Sequence, residues 1–166
     1  MSTYIQNLHH IVFATKNRIP CLQKNNRSVL FKYMYGVLKN KKCHVYRING
    51  VEDHLHILTH IHQTIPLSSV IREIKLASHA LIKRESLFPE FKGWQEGYAA
   101  FSCHEEHKER LIYYIKNQEI HHQRISWEEE LISLLEEHGV EYDEKYLWYG
   151  SSLGLLNPIR GSEDGS

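Results

Sequence analysis

Apolar positions along the chain follow two rhythms, one of period two and one close to 3.6. Residues 8 to 15, LHHIVFAT, are short, apolar and β-branched, which predicts a strand, and a basic loop around Pro20 follows. From about Asn26 to Lys42, Val29, Leu30, Tyr33, Met34, Val37 and Leu38 recur at helical spacing. CHVYRING alternates as a strand does and ends on Asn49-Gly50, a hairpin signal that hands over to a returning strand, VEDHLHILTHIH. After Pro66 a second helix is marked by Val70, Ile71, Ile74, Ala77 and Leu81, and GYAAFSC reads as a fourth strand. HEEHKERLIYYIKNQEIHHQ predicts a third helix with Glu105, Glu106 and Glu109 at its electropositive start. SWEEELISLLEEHGV predicts a fourth, capped by Ser126 and ended by Gly139.

The order β-α-β-β-α-β followed by helices predicts an α+β fold of the ferredoxin-like, split-βαβ kind. Such a fold is a four-stranded antiparallel sheet with two helices on one face. The other face is left for a ligand, a partner or the extra helices. The 166 residues suit one domain, expected over 1–150 with a helical extension from about residue 127. The tail 151–166, with GSEDGS, is expected to be disordered.

Charge changes this picture more than composition does. The formal net charge is zero, yet no acid precedes Glu52, while Lys16, Arg18, Lys24, Arg27, Lys32, Lys39, Lys41, Lys42 and Arg47 all do. Residues 128–144 carry eight acids. A basic half on a neutral protein fits a polyanion bound by one face, and two solvated surfaces with no partner are the competing reading. Cys21, Cys43 and Cys103 are scattered and odd in number, against a disulfide framework or a thiolate zinc site, so a reducing cytoplasm is expected. No apolar run is long enough to span a bilayer.

Candidate chemistry is concentrated in two segments. On the third strand, side chains two apart share a face, roughly 6.5 to 7 Å between Cα atoms. Leu55, Ile57, Thr59 and Ile61 can therefore enter the core while His54, His56, Leu58, His60 and His62 face the other way, onto an open sheet surface. His54 and His56 can converge on one metal ion, and His60 and His62 read as rim positions. On the third helix, Tyr114 and Gln118 are four apart and share a face, whereas Tyr113 points elsewhere and is expected to pack. A Gln carbonyl is a hard donor suited to Mg²⁺ or Mn²⁺, although imidazoles alone suit zinc as readily. A phenol beside a metal-polarised phosphoryl group is a candidate nucleophile.

His-Leu-His on the third strand, Tyr-x-x-x-Gln after the fourth, and a basic N-terminal half form a coherent set. With them the chain resembles the IS200/IS605-type single-tyrosine transposases of the HUH endonuclease superfamily. LHHIVFATKNR, EDHLHILTHI, GYAAFSCH and YIKNQEIHH carry the resemblance, which covers about residues 4 to 125 with no departure at the motif positions. It implies an active enzyme that cuts and rejoins single-stranded DNA. His54, His56 and Gln118 would hold Mg²⁺ or Mn²⁺, and Tyr114 would attack the scissile phosphate to give a 5′-phosphotyrosine. It also implies a homodimer, with the tyrosine helix able to serve the partner's histidines, and DNA hairpins as substrates. Lys16, Arg18, Lys39, Lys41, Lys42 and Arg47 are candidate DNA contacts.

Four other readings compete. A repeat-processing domesticated relative would keep the same residues. A non-catalytic nucleic-acid-binding module on this fold would carry aromatics where His54 and His56 stand. A small-molecule metal phosphoesterase would not need Tyr114, and a histidine-rich structural dimer would not need a metal. The acidic helix from Trp127 to Trp148 lies outside the resemblance, and the sequence leaves its role open.

Overall fold

The computed structural model describes residues 1–143 and 147; the expected disordered tail lies outside the described residues. Four strands, β1 (Leu8–Ala14), β2 (His44–Gly50), β3 (His54–His60) and β4 (Ala99–Cys103), form one antiparallel sheet in the order β2-β3-β1-β4. That is the order of the split-βαβ arrangement, with the long helices α1 (Lys24–Asn40) and α2 (Leu67–Glu85) as its two crossovers. The α+β, ferredoxin-like expectation holds.

One face of the sheet is an ordinary apolar core. Ile11 and Phe13 of β1 and Leu55 and Ile57 of β3 meet Leu30, Met34 and Leu38 of α1 and Val70, Ile71, Ile74 and Ile82 of α2. The i, i+4, i+8 spacing of the α1 residues lines them along one stripe. Each large side chain buried this way contributes roughly 1.5–3 kcal/mol. Val29, expected on the stripe, faces water instead, and Ser78 takes the buried position next to Ala77, accepting a hydrogen bond from the Trp94 indole at 2.9 Å.

The β2–β3 connection turns later than Asn49-Gly50 suggests. Both residues stay in β2, and Val51–Asp53 make the turn. Gly50 is needed for a different reason: a Cβ there would collide with the His54 carbonyl and with Leu55. The segment expected as a single third helix is broken. A 3-10 turn at Glu105–His107 leads into α3 (Lys108–Lys116), Asn117 leaves helical geometry (φ −100°, ψ 25°), and α4 (Gln118–His121) follows. The last helix, α5 (Trp127–Glu137), starts at the expected Ser126 cap, where Ser126 and Glu129 hydrogen-bond reciprocally in a capping box.

The second face of the sheet is not open. Helix α5 lays Trp127, Leu131, Leu134 and Leu135 on Val12, Ala14 and Phe101, while α3 seals the other end with Ile115 against Leu8 and Leu58. The sheet is thus sandwiched between two helical layers, and the acidic helix owes its place to the apolar stripe on its inner side.

Candidate active site

Strand alternation delivers His54 and His56 to the second face as expected, but α5 covers both and leaves them 0% exposed. A surface accessible to a DNA phosphate is therefore corrected to a closed pocket. Trp127 stacks on the His54 ring, with centroids 4.1 Å apart and planes at 22°. One turn further along α5, Glu130 points into the pocket, 1% exposed.

The Glu130 carboxylate is the hub of the pocket. Its Oε1 lies 2.9 Å from His56 Nε2, 3.1 Å from His122 Nε2 and 3.2 Å from His54 Nε2. Its Oε2 accepts a short hydrogen bond from the Tyr114 hydroxyl and one of 3.2 Å from the Gln118 amide, and stands 3.0 Å from His121 Nε2. Tyr114, His54, His56 and Gln118 are thus gathered round one point, within a single chain. The break at Asn117 does not separate the tyrosine from the glutamine.

Second partners fix how the rings present themselves. His54 Nδ1 donates to the Asp53 carboxylate at 2.7 Å and His122 Nδ1 donates to the Ile125 carbonyl at 3.1 Å. Both acceptors lack a proton, so each Nδ1 carries one and each Nε2 is turned toward Glu130, where it can donate a proton or offer a lone pair to a cation. Those two Nε2 atoms are 3.0 Å apart, and the Gln118 carbonyl oxygen is 3.1 Å from His122 Nε2. Lone pairs and a carboxylate oxygen at this spacing repel unless protons or a cation sit among them. On the far side of His56, His10 Nε2 lies 2.8 Å from His56 Nδ1, leaving His10 Nδ1 buried and without a partner.

The electrostatics follow from burial and from the hub. Burial alone would raise Glu130, but hydrogen bonds with His122, His54 and His56 hold it ionised, well below the carboxylate range. Burial, then the Glu130 charge, push Tyr114 above the ordinary phenol value, so in this closed state the hydroxyl keeps its proton. Burial would lower His54, yet Asp53 and Glu130 raise it overall. Burial wins at His56, which is lowered, and at His10, lowered further with His56 as the second cause.

The basic candidates are spread more widely. Arg18 pairs with Glu128 of α5, next to the pocket. Lys39 lies in the last turn of α1, and Lys41 and Lys42 follow it toward His44, which pairs with His60 at the opposite end of β3 from His54. Arg47 lies on β2 opposite Leu58, and Lys16 sits in the 3-10 turn after β1. Tyr113 does not pack as expected; it is 71% exposed beside the nucleophile candidate.

The family described as transposase IS200-like matches residues 3–118, well over half of the chain. The chain belongs to the IS200-like transposase family. Two solved structures share its fold. One is a proposed transposase from Deinococcus radiodurans R1, 18% identical at a TM-score of 0.55, covering 71% of this chain and 95% of that one. The other is a REP-associated tyrosine transposase bound to a REP hairpin, 16% identical at a TM-score of 0.57, covering 75% and 76%. No curated protein matches the chain. Among the described residues of this transposase no helix is long and apolar enough to cross a membrane.

Reading the transposase's sequence by motif misses Glu130, His122, His121, His10 and Trp127, and three of them left a trace. Glu130 interrupts the apolar stripe Trp127, Leu131, Leu134 of α5, where an acid has no reason to be unless it meets a partner. His122 repeats the four-residue step from Gln118, and His10 lies between Leu8 and Val12 on the buried side of β1.

Proposed function

We propose that this transposase cleaves and rejoins single-stranded DNA by metal-assisted transesterification through Tyr114. The observation that carries this reading is that Tyr114, His54, His56 and Gln118, drawn from β3, α3 and α4, come together on one carboxylate. The donor set fits a divalent ion, since converging imidazole lone pairs, a Gln carbonyl and a buried carboxylate need positive charge among them. His54, His56 and Gln118 would hold Mg²⁺ or Mn²⁺, which when bound supplies Lewis acidity at a phosphoryl oxygen.

The chain's own residues do the rest. Tyr114 Oη forms a bond to phosphorus, the bond to the 3′ oxygen breaks, and the strand leaves with a free 3′-hydroxyl. His121, whose Nε2 lies 3.4 Å from the Tyr114 hydroxyl, takes the phenolic proton and returns one to the departing 3′ oxygen. The 5′-phosphotyrosine keeps the energy of the broken ester, so a 3′-hydroxyl can reverse the step and join strands. Because α5 buries the histidines, the phosphate enters only when that helix shifts.

Hairpin-bearing single-stranded DNA is the substrate we favour, in keeping with the fold shared with a protein bound to a REP hairpin. Lys16, Arg18, Lys39, Lys41, Lys42 and Arg47 are the proposed DNA contacts, and a homodimer is the proposed assembly. The test is a denaturing gel of wild type and Tyr114→Phe incubated with single strands from the flanks of the gene, with Mg²⁺, Mn²⁺ or EDTA. The expected outcome is a covalent adduct that needs both metal and Tyr114, falling at least about a thousandfold in the variant. Tight binding with no adduct on any strand would leave a DNA-binding module instead.

A further inference from the structure

We propose that, in the closed state without DNA, His122 and Glu130 are ligands of the divalent ion alongside His54 and His56, so that the ion fastens α5 to strand β3 until that helix shifts. This rests on the metal dependence proposed above but adds two residues from outside the motifs, one of them on the acidic helix. Four donor atoms, His54 Nε2, His56 Nε2, His122 Nε2 and a Glu130 carboxylate oxygen, lie within 4.8 Å of one another. The contacts at that oxygen span 2.9 to 3.2 Å, and the two facing imidazole nitrogens are 3.0 Å apart. Donors bonded to one ion at about 2.0–2.2 Å stand at comparable separations from each other.

Three further observations favour a built metal site over an accidental polar cluster. Each imidazole is oriented from behind: His54 by Asp53, His122 by the Ile125 carbonyl, and His56 by His10. Such outer partners fix the tautomer and aim the lone pair at a metal. The carboxylate is 1% exposed, and an unbalanced buried charge is costly, so its presence on an otherwise apolar stripe needs a positive counterpart. The capping box at Ser126 and the Trp127 stack set the start of α5 one turn before Glu130, which gives the ligand a rigid mount.

The composition of the set has a consequence for the ion. Three imidazoles and one carboxylate suit Mn²⁺ or Zn²⁺ better than Mg²⁺, whose preference is for oxygen. In this closed arrangement the Gln118 amide donates to the second Glu130 oxygen at 3.2 Å, while its carbonyl oxygen stays beside the other ligands, 3.1 Å from His122 Nε2. Glu130 thereby spans the metal ligands on one oxygen and the Tyr114 hydroxyl on the other.

The test measures Mn²⁺, Zn²⁺ and Mg²⁺ binding to the full chain without DNA, by titration calorimetry, for wild type, Glu130→Gln, His122→Asn and His56→Ala. Far-UV circular dichroism checks each fold. Hydrogen exchange of residues 127–137 is followed in the wild type with and without Mn²⁺. We expect one ion per chain in the wild type, binding weakened at least about tenfold in Glu130→Gln and in His122→Asn, and slower exchange of α5 when Mn²⁺ is present. Unchanged affinity in Glu130→Gln and His122→Asn with loss in His56→Ala would overturn the assignment and leave the transposase reading intact. Absence of any ion from the wild type, or exchange in α5 indifferent to Mn²⁺, would overturn it as well, even if a variant failed to fold. Metal bound as expected but no DNA adduct would instead remove the proposed function and keep this site.

Discussion

The two faces of the sheet are made from the same strands and stabilised by opposite means. On β1 and β3, Ile11, Phe13, Leu55 and Ile57 point toward α1 and α2, while His10, His54 and His56, one residue away, point toward α3 and α5. The first face is closed mainly by apolar contact, with its few polar groups, such as Ser78 and the Trp94 indole, paired inside it. The second is closed by a small apolar patch round a polar pocket that still needs positive charge. The first face is therefore complete as it stands, whereas the second is stable only to the extent that protons or an ion balance Glu130.

The largest expected effect tests the first face. Phe13 is fully buried and meets Trp94 edge-to-face at 5.0 Å. Phe13→Ala should cost about 3–5 kcal/mol of global stability, read as a lower denaturation midpoint that added Mn²⁺ does not recover fully. A loss below about 1 kcal/mol would mean that this face is not the stabilising one.

The contrast between faces also explains what the sequence made legible. Period-two and 3.6-residue rhythms are produced by apolar burial, so the four strands, α1, α2 and α5 could all be placed from them, as could the fold class. The turn at Val51–Asp53 was misplaced because Asn49-Gly50 looks like a turn, whereas Gly50 is there to let the backbone approach β3. The break at Asn117 was missed because one residue leaves helical geometry there with no Gly or Pro to mark it. At the site, Tyr114, Gln118 and the two histidines are recognisable as local motifs, and the structure brings them together. Glu130 and His122 belong to a polar pocket assembled across 68 to 76 residues of chain from His54, and no local pattern reports such a pairing. An open histidine face was the natural expectation as long as α5 had no assigned neighbour.

A smaller change should loosen the second face and leave the first alone. Ser126 caps α5, accepting from the Glu129 amide at 3.2 Å while Glu129 accepts from the Ser126 amide at 3.0 Å. Ser126→Ala should cost about 1 kcal/mol. Hydrogen exchange should quicken across 127–137 while α1 and α2 keep wild-type protection. Equal acceleration in α1 would show that the two faces open as one unit, and the contrast drawn between them would fail.

The smallest effect concerns a charge at the rim of the apolar face. Lys75 of α2 lies 5.3 Å from the Phe13 ring centre and donates to the carbonyls of Gln95 and Gly97, each at 2.8 Å, fastening the loop that leads into β4. Burial pushes its pKa down from 10.5 to about 8, against a smaller opposing pull from Glu96. The unfolded chain then binds more protons than the folded one between pH 8 and 10.5, so this residue makes stability rise with pH across that window. Below pH 8 both states hold the proton and the cost of the buried ammonium is present in full. The ammonium stays partly open to solvent, so the rise should be less than about 1 kcal/mol. Lys75→Met should abolish it. Denaturant midpoints of wild type and variant, measured every half unit from pH 7 to pH 10.5, should therefore differ by an amount that changes with pH. A constant difference would mean that Lys75 acts only as a clamp on the loop and that its charge is not felt by the apolar face.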